Sequence, residues 1–314
     1  MNIVTSYRNP DTDGIASALA VAAYPSVFGL KGDWCARFDG VINKETAYFC
    51  TFTKLRADFE LPSVVPDDWF ALVDTSDRSG LPMWVNSERV CLIIDHHPLV
   101  SDQIVTAPRV FNECVGAAAT LVAEFLLTAE ADASVNIMRL LQLAILSNTL
   151  SYQAPSTTER DRVVFGELAK ISGLSLDDAL SVADTARQKF VTESVENLLL
   201  NDVKRYSTDS HLFAVAQVEG PGVAREVTSI PIERVSANIL QSCPDSIVVL
   251  NVVDTSAGVS CIFFADETYR DRFVSIVKRM SSADLVMPVE NDWIMLPLLT
   301  LRKSHIFPWL SEMS

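Results

Sequence analysis

The sequence predicts an α/β protein of two domains, the first organised around a parallel sheet. Three observations point there. A short β-branched run at 2–6 (NIVTS) leads through a turn at 7–14 into an Ala- and Leu-rich helical stretch at 15–23, the opening unit of a parallel sheet. Two further runs, 69–73 (WFALV) and 90–94 (VCLII), are continuously apolar, as strands covered on both faces are, and each stops at an acidic residue, Asp74 and Asp95. The length, 314 residues, suits about two domains of roughly 150 residues each.

The remaining elements follow in order. Residues 115–127 and 135–146 read as helices, and Gly173 and Ser175 punctuate two more, at 162–171 and 176–189. Residues 189–194 suit a linker between a first domain at 1–188 and a second, smaller α/β domain at 195–314. The second opens with a helix at 195–205, followed by strands at 212–218, 247–253 and 259–264. No internal repeat or low-complexity tract interrupts this order.

Composition narrows the function classes. Apolar residues make up 49% and charged residues 21%, so two cores can form. The net charge of −15 argues against long duplex nucleic acid or an anionic membrane as the main partner, since both select basic surfaces. A small phosphate ligand in a locally basic pocket stays open. The N-terminus lacks the basic-then-apolar pattern of a secretion signal, and no apolar stretch approaches the ~20 residues of a membrane span. Six scattered cysteines without a CxxC pair read as reduced thiols. These features together predict a cytoplasmic protein.

Chemistry concentrates at the ends of the predicted strands. In Asn9-Pro10-Asp11-Thr12-Asp13-Gly14, two carboxylates two residues apart sit between a strand and a helix, where they can serve a hard cation or cap the helix. Pro10 favours extended backbone at Asn9, and Gly14 permits a tight entry to the helix. Asp74 opens Asp74-Thr75-Ser76-Asp77 at the second tip. Asp95-His96-His97 closes the third, with two of the four histidines adjacent. Neighbouring side chains at a strand end are expected to point apart, so that one imidazole holds a metal while the other faces a substrate. Three acidic tips on one edge of a parallel sheet outweigh any single motif.

The order NPDTD, VDxxD, DHH resembles the DHH phosphoesterase superfamily, and in particular the family II, manganese-dependent inorganic pyrophosphatases. Residues 144–149 (AILSNT) with 154–157 (APST) are similar to a fourth motif of those enzymes, and 113–120 (ECVGAAAT) to their glycine loop. Lys204 and the pair Arg302-Lys303 match basic residues of their second domain. The resemblance implies an active site in a cleft between the domains, with one or two Mn²⁺ or Mg²⁺ ions. It assigns one ion to Asp11 and Asp74 and the other to Asp13, Asp74 and His96, with Asp74 bridging. It implies that a metal-bound hydroxide attacks phosphorus in a phosphoanhydride or phosphoester, either pyrophosphate or a small nucleotide or phosphate ester. It makes Asp95 the partner that orients a histidine ring, and sets His97, Lys204, Arg302 and Lys303 against substrate oxygens. A homodimer is implied in the same way.

Three positions depart from that pattern. Tyr7 stands where the family has a histidine ligand, Asn148 where it has an aspartate ligand, and Thr75 where it has a histidine after the second-motif aspartate. A phenol is a weak ligand unless deprotonated, while Asn148 can still offer a carbonyl oxygen. Losing a unit charge about 4 Å from a cation is worth on the order of 4 kcal/mol per charge at an effective dielectric near 20. Three readings follow: two weakly held metals, a single metal, or a catalytically weakened pseudoenzyme that binds a phosphorylated metabolite.

Overall fold

Five short strands, β1 (Asn2–Thr5), β2 (Trp34–Ala36), β3 (Phe70–Val73), β4 (Val90–Asp95) and β5 (Val110–Asn112), form an all-parallel sheet in the order β2-β1-β3-β4-β5. The computed structural model describes residues 2–60, 67–97, 107–190, 195–220, 222–280, 287–288 and 292–313. The chain divides into two units, Met1–Ala186 and Arg187–Ser314. The helices following the strands are α1 (Thr12–Ala23), α2 (Lys44–Thr53), α3 (Ala118–Thr128), α4 (Val135–Asn148), α5 (Glu159–Ser172) and α6 (Leu176–Phe190).

Period-two alternation distributes the strand side chains over two cores. Val4, Ala71, Val73, Leu92 and Ile94 join α1, α3, α4 and α5 in the larger one. Ile3, Phe70, Leu72, Val90 and Ile93 form the smaller, packed by Leu81, Trp84 and Val85. Each such buried aliphatic or aromatic side chain contributes about 1.5–3 kcal/mol. The sheet order matters for function. Open α/β sheets bind ligands outside the carboxyl ends of their strands, and for this order the switch point lies between β1 and β3. β1, β3 and β4 are neighbours, so the acidic residues that follow them share that edge.

The first turn differs from the sequence-based expectation in three respects. Helix α1 starts at Thr12, because Asp11 caps it: its Oδ1 accepts the N–H groups of Asp13 (3.0 Å) and Gly14 (3.3 Å). Asp13 therefore lies on the helix and not on a loop. Asn9 is not extended but left-handed, with φ +53°. Asparagine tolerates that region, and here its N–H donates to Asp39 O while its Oδ1 accepts Val41 N–H. Gly14 answers a close approach, since a Cβ there would lie 2.5 Å from Ser6 Oγ.

The second unit carries α7 (Val195–Asn201), β6 (Val203–Ser207), β7 (Leu212–Gly220), α8 (Ile232–Ser242), β8 (Ile247–Asp254), β9 (Val259–Phe264), α9 (Glu267–Met280), β10 (Met287–Pro288), β11 (Ile294–Leu296) and α10 (Phe307–Ser311). Its sheet runs β10-β11-β9-β8-β7-β6, with β7 and β8 parallel and the other pairs antiparallel. The helix expected over 195–205 stops at Asn201, because residues 203–207 pair with β7 and the ladder overrides local propensity. Of the expected linker, residues 191–194 lie outside the described residues.

His305 sits on a π-helical turn, Arg302–Ile306, where its Nδ1 accepts Leu301 N–H at 3.2 Å and its ring meets Trp309 edge-on. Burial lowers its pKa below the ordinary 6.5. A depressed imidazole contributes stability that is complete above about pH 6.5 and is lost as pH falls below it. His305→Gln is accordingly expected to flatten the fall in melting temperature between about pH 7.5 and 5. Equal slopes for variant and parent in thermal unfolding would count against this account.

Candidate metal centre

Asp74 follows β3 directly in left-handed backbone, φ +56°, a conformation open to Asp and Asn at little cost. Its side chain is 1% exposed, and among the described residues neither carboxylate oxygen has a hydrogen-bond partner. A buried carboxylate without donors is costly unless a cation compensates it. Its nearest polar neighbours are imidazoles: His96 Nε2 lies 3.2 Å and His97 Nδ1 3.7 Å from Asp74 Oδ1.

His96 is held in one tautomer. Its Nδ1 lies 2.9 Å from Val115 O, an acceptor only, so Nδ1 carries the proton and Nε2 presents a lone pair. Asn148 supports this assignment, with its Nδ2 3.3 Å from the same Nε2. That lone pair faces the oxygens of Asp74 and of Asp13, the latter at 3.7 Å. Lone pairs converging on one point suit a divalent cation, and Asp74, His96 and His97 offer donor atoms within 4.8 Å of one another. The residues present therefore fit a metal ion.

The two histidines do not diverge as expected. Their ring centroids are 4.4 Å apart and both rings turn toward Asp74. The cause is Asp95, which is fully buried and draws the chain back on itself. Its Oδ1 accepts the backbone N–H groups of His96 (2.8 Å) and His97 (3.2 Å) together with His97 Nδ1 (2.7 Å). Burial pushes the Asp95 carboxyl up, but hydrogen bonds from His97 and Ser76 and the charge of His97 hold it well below the usual carboxylate range. Asp95 thus orients His97, while a backbone carbonyl orients His96.

The other expected ligands differ in their commitments. Asp13 is buried, and its oxygens receive Ala118 N–H and Ala119 N–H, each at 2.7 Å, so it caps α3 from another helix. Burial first, then the charges of Asp74 and Asp11, raise its pKa. Asn148 presents its amide nitrogen toward the site and not the carbonyl oxygen expected of a ligand. Nδ2 donates to Gly116 O at 2.8 Å and Asp13 Oδ2 at 3.2 Å. An amide N–H replaces a carboxylate by donating to the neighbouring acid. Tyr7 is buried, and its hydroxyl accepts Asp11 N–H at 3.3 Å. Burial, then the charges of Asp11 and Asp74, push its pKa well above 10, so it stays a neutral phenol and a poor ligand. Thr75 is buried beside Asp74.

Arg302, expected against substrate oxygens, is 6% exposed and spends its guanidinium within the second unit. Nη2 donates to both Asp202 oxygens at 2.8 and 2.9 Å, and Nη1 to Asp202 O and Val215 O. Burial pulls its pKa down, but Asp202 leads the groups that raise it far above the ordinary range. Lys204 is half-buried on β6, paired across from Val215. The side chain of Lys303 lies outside the described residues. Sequence reasoning missed Asp161, which is fully buried and accepts Gly116 N–H. Its signal was available in Thr158-x-x-Asp161, a capping-box spacing at the start of α5.

Residues 2–147 match the model of the DHH family, N-terminal domain. A chain of Lactobacillus delbrueckii subsp. bulgaricus, assigned as a manganese-dependent inorganic pyrophosphatase, is 26% identical over 317 residues, covering 95% of this chain and 97% of its own. The manganese-dependent inorganic pyrophosphatase of Methanothrix thermoacetophila is 27% identical over 218 residues, 69% of each chain. Among solved structures, a Methanococcus jannaschii chain assigned to the family II inorganic pyrophosphatases superposes with a TM-score of 0.80 at 21% identity, covering 99% of both chains.

Proposed function

We propose that this chain, whose residues 2–147 match the DHH family model and whose motifs resemble the DHH phosphoesterases, is a manganese-dependent phosphohydrolase acting on a small phosphoanhydride or phosphoester. The observation that carries the reading is the buried Asp74 carboxylate, without a hydrogen-bond donor and 3.2 Å from the lone pair of His96 Nε2. The curated relatives are named for manganese, and the hard oxygen donors here also suit Mg²⁺. Relatives named inorganic pyrophosphatases make pyrophosphate the first substrate to test. The exchange of two ligand positions for Tyr7 and Asn148 favours a substrate of lower charge, a nucleotide or simple ester. A homodimeric state and a cytoplasmic location are carried by the resemblance and the composition alone.

Asp74 and His96 would hold the ion, with Asp11 and Asp13 beside them. When bound, the ion supplies a Lewis acid that polarises a phosphoryl oxygen and acidifies water. The chain's own groups do the rest. Asp95 holds a proton on His97 Nδ1 and fixes the ring, so that His97 is assigned the proton delivered to the leaving oxygen. As water adds to phosphorus and the bond to the leaving oxygen breaks, His97 gives that oxygen a proton, and the proton shed by the water replaces it through solvent. Arg302 is assigned to the support of β6 through Asp202.

The test is a panel of pyrophosphate, polyphosphate, nucleotides and dinucleotides with Mn²⁺ or Mg²⁺, scored by released phosphate or nucleotide. Turnover by the parent and its loss in His96→Ala, by about 10²-fold or more, is the expected result. Equal rates for parent and His96→Ala would overturn the catalytic reading, and retained phosphate binding in that case would mark a sensor.

A further inference from the structure

We propose that Asp161 is a positioning residue for His96, acting through the single peptide group that joins Val115 to Gly116. This rests on the reading of His96 as a metal ligand.

The first turn of α5 explains only part of what Asp161 does. As a cap, its Oδ2 receives Thr158 N–H and Thr158 Oγ1, both at 2.7 Å. The carboxylate also turns inward. Both its oxygens accept Gly116 N–H, at 3.1 and 2.9 Å, and Oδ1 accepts Thr120 Oγ1 at 2.6 Å. A Cβ at Gly116 would press on this contact, lying 2.8 Å from Asp161 Oδ2 and 2.5 Å from Thr149 Cγ2, so that one of them must shift.

The N–H of Gly116 and the C=O of Val115 belong to one planar peptide and point in opposite directions. Asp161 grips its N–H end, and His96 Nδ1 binds its C=O end at 2.9 Å. A negative charge on the N–H side polarises the peptide and makes its oxygen a stronger acceptor. The effect at His96 is to hold the proton on Nδ1 and to leave Nε2 more basic toward Asp74 and any ion beside it. The same stretch serves other site residues: Gly116 O receives Asn148 Nδ2, and Ala118 and Ala119 N–H serve Asp13. One carboxylate on α5 thus fixes a run of backbone that three site side chains use.

Asp161→Asn breaks the charge but keeps the size. It is expected to weaken Mn²⁺ binding, measured by calorimetry well below the melting temperature, by about 10- to 100-fold. ¹⁵N spectra of the metal-free protein are expected to show His96 leaving its single Nδ1–H form for a mixture of tautomers. Gly116→Ala pushes the same peptide from the other side and should give both changes, which covers the case in which Asp161→Asn fails to fold. Thr158→Ala removes the cap's hydroxyl and leaves the Gly116 and Thr120 contacts of Asp161 in place, so it should lower the melting temperature and leave Mn²⁺ affinity and the His96 spectrum as in the parent. The proposal is overturned if the Asp161 variant keeps the parent spectrum and an affinity within about twofold, or if Thr158→Ala changes both equally. If the parent itself takes up no Mn²⁺, the metal reading fails, while the ¹⁵N contrast still decides the role of Asp161.

Discussion

Asp74→Asn is expected to raise the melting temperature of the metal-free protein and to remove manganese-dependent turnover. The carboxylate is buried, has no donor, and shares its surroundings with Asp11 and Asp13. Relieving an unsatisfied buried group is worth about 1–3 kcal/mol, and charged groups lie at the upper end. For a protein of this size that is several degrees, at about 2–4 °C per kcal/mol. The backbone confounds little, because Asn adopts the left-handed φ of +56° as readily as Asp. Turnover should fall by about 10³-fold or more, the loss of roughly 4 kcal/mol of transition-state stabilisation. Differential scanning with and without Mn²⁺ checks both halves. A lower melting temperature together with an undiminished Mn²⁺-induced rise would show that Asp74 is a structural acid.

That prediction draws on what was legible before any coordinates. β3 and β4 announce themselves as apolar runs halted by acids and β1 as a β-branched run leading through a turn to Asp11, and their adjacency in the sheet places Asp11, Asp74 and Asp95 on one edge. What was not legible lies in long-range partners. Nothing local to Asp13 says that its carboxylate caps a helix 105 residues later, nor that a carbonyl at Val115 fixes the tautomer of His96. The three-residue edge strands β2 and β5 carry too few residues to show a period. The end of α7 was misjudged for a related reason, since residues 203–207 become a strand only because β7 is there to pair with them. The divergence expected of His96 and His97 assumed a continuing strand. Asp95 ends it by collecting both following N–H groups on one oxygen.

Asn148→Asp is expected to act in opposite directions on the metal-free and metal-bound protein. In the parent, Asn148 donates to Gly116 O at 2.8 Å and to Asp13 Oδ2 at 3.2 Å, which eases the crowding of acids around Asp74. An aspartate forfeits both donations and adds a like charge, so the metal-free melting temperature should drop by several degrees. With Mn²⁺ present the added charge becomes an attraction. A unit charge pair at about 4 Å is worth about 4 kcal/mol at an effective dielectric near 20, and a divalent ion doubles it before desolvation and screening reduce the gain. An increase in Mn²⁺ affinity of about 10²-fold is a reasonable remainder. The rise in melting temperature on adding Mn²⁺ should therefore exceed the parent's by more than the metal-free loss. Such a result would mean that the parent site lacks one negative charge toward the ion. Affinity unchanged by the substitution would instead place residue 148 outside the ion's reach, and leave the ion to Asp74 and His96 with their neighbours on α1.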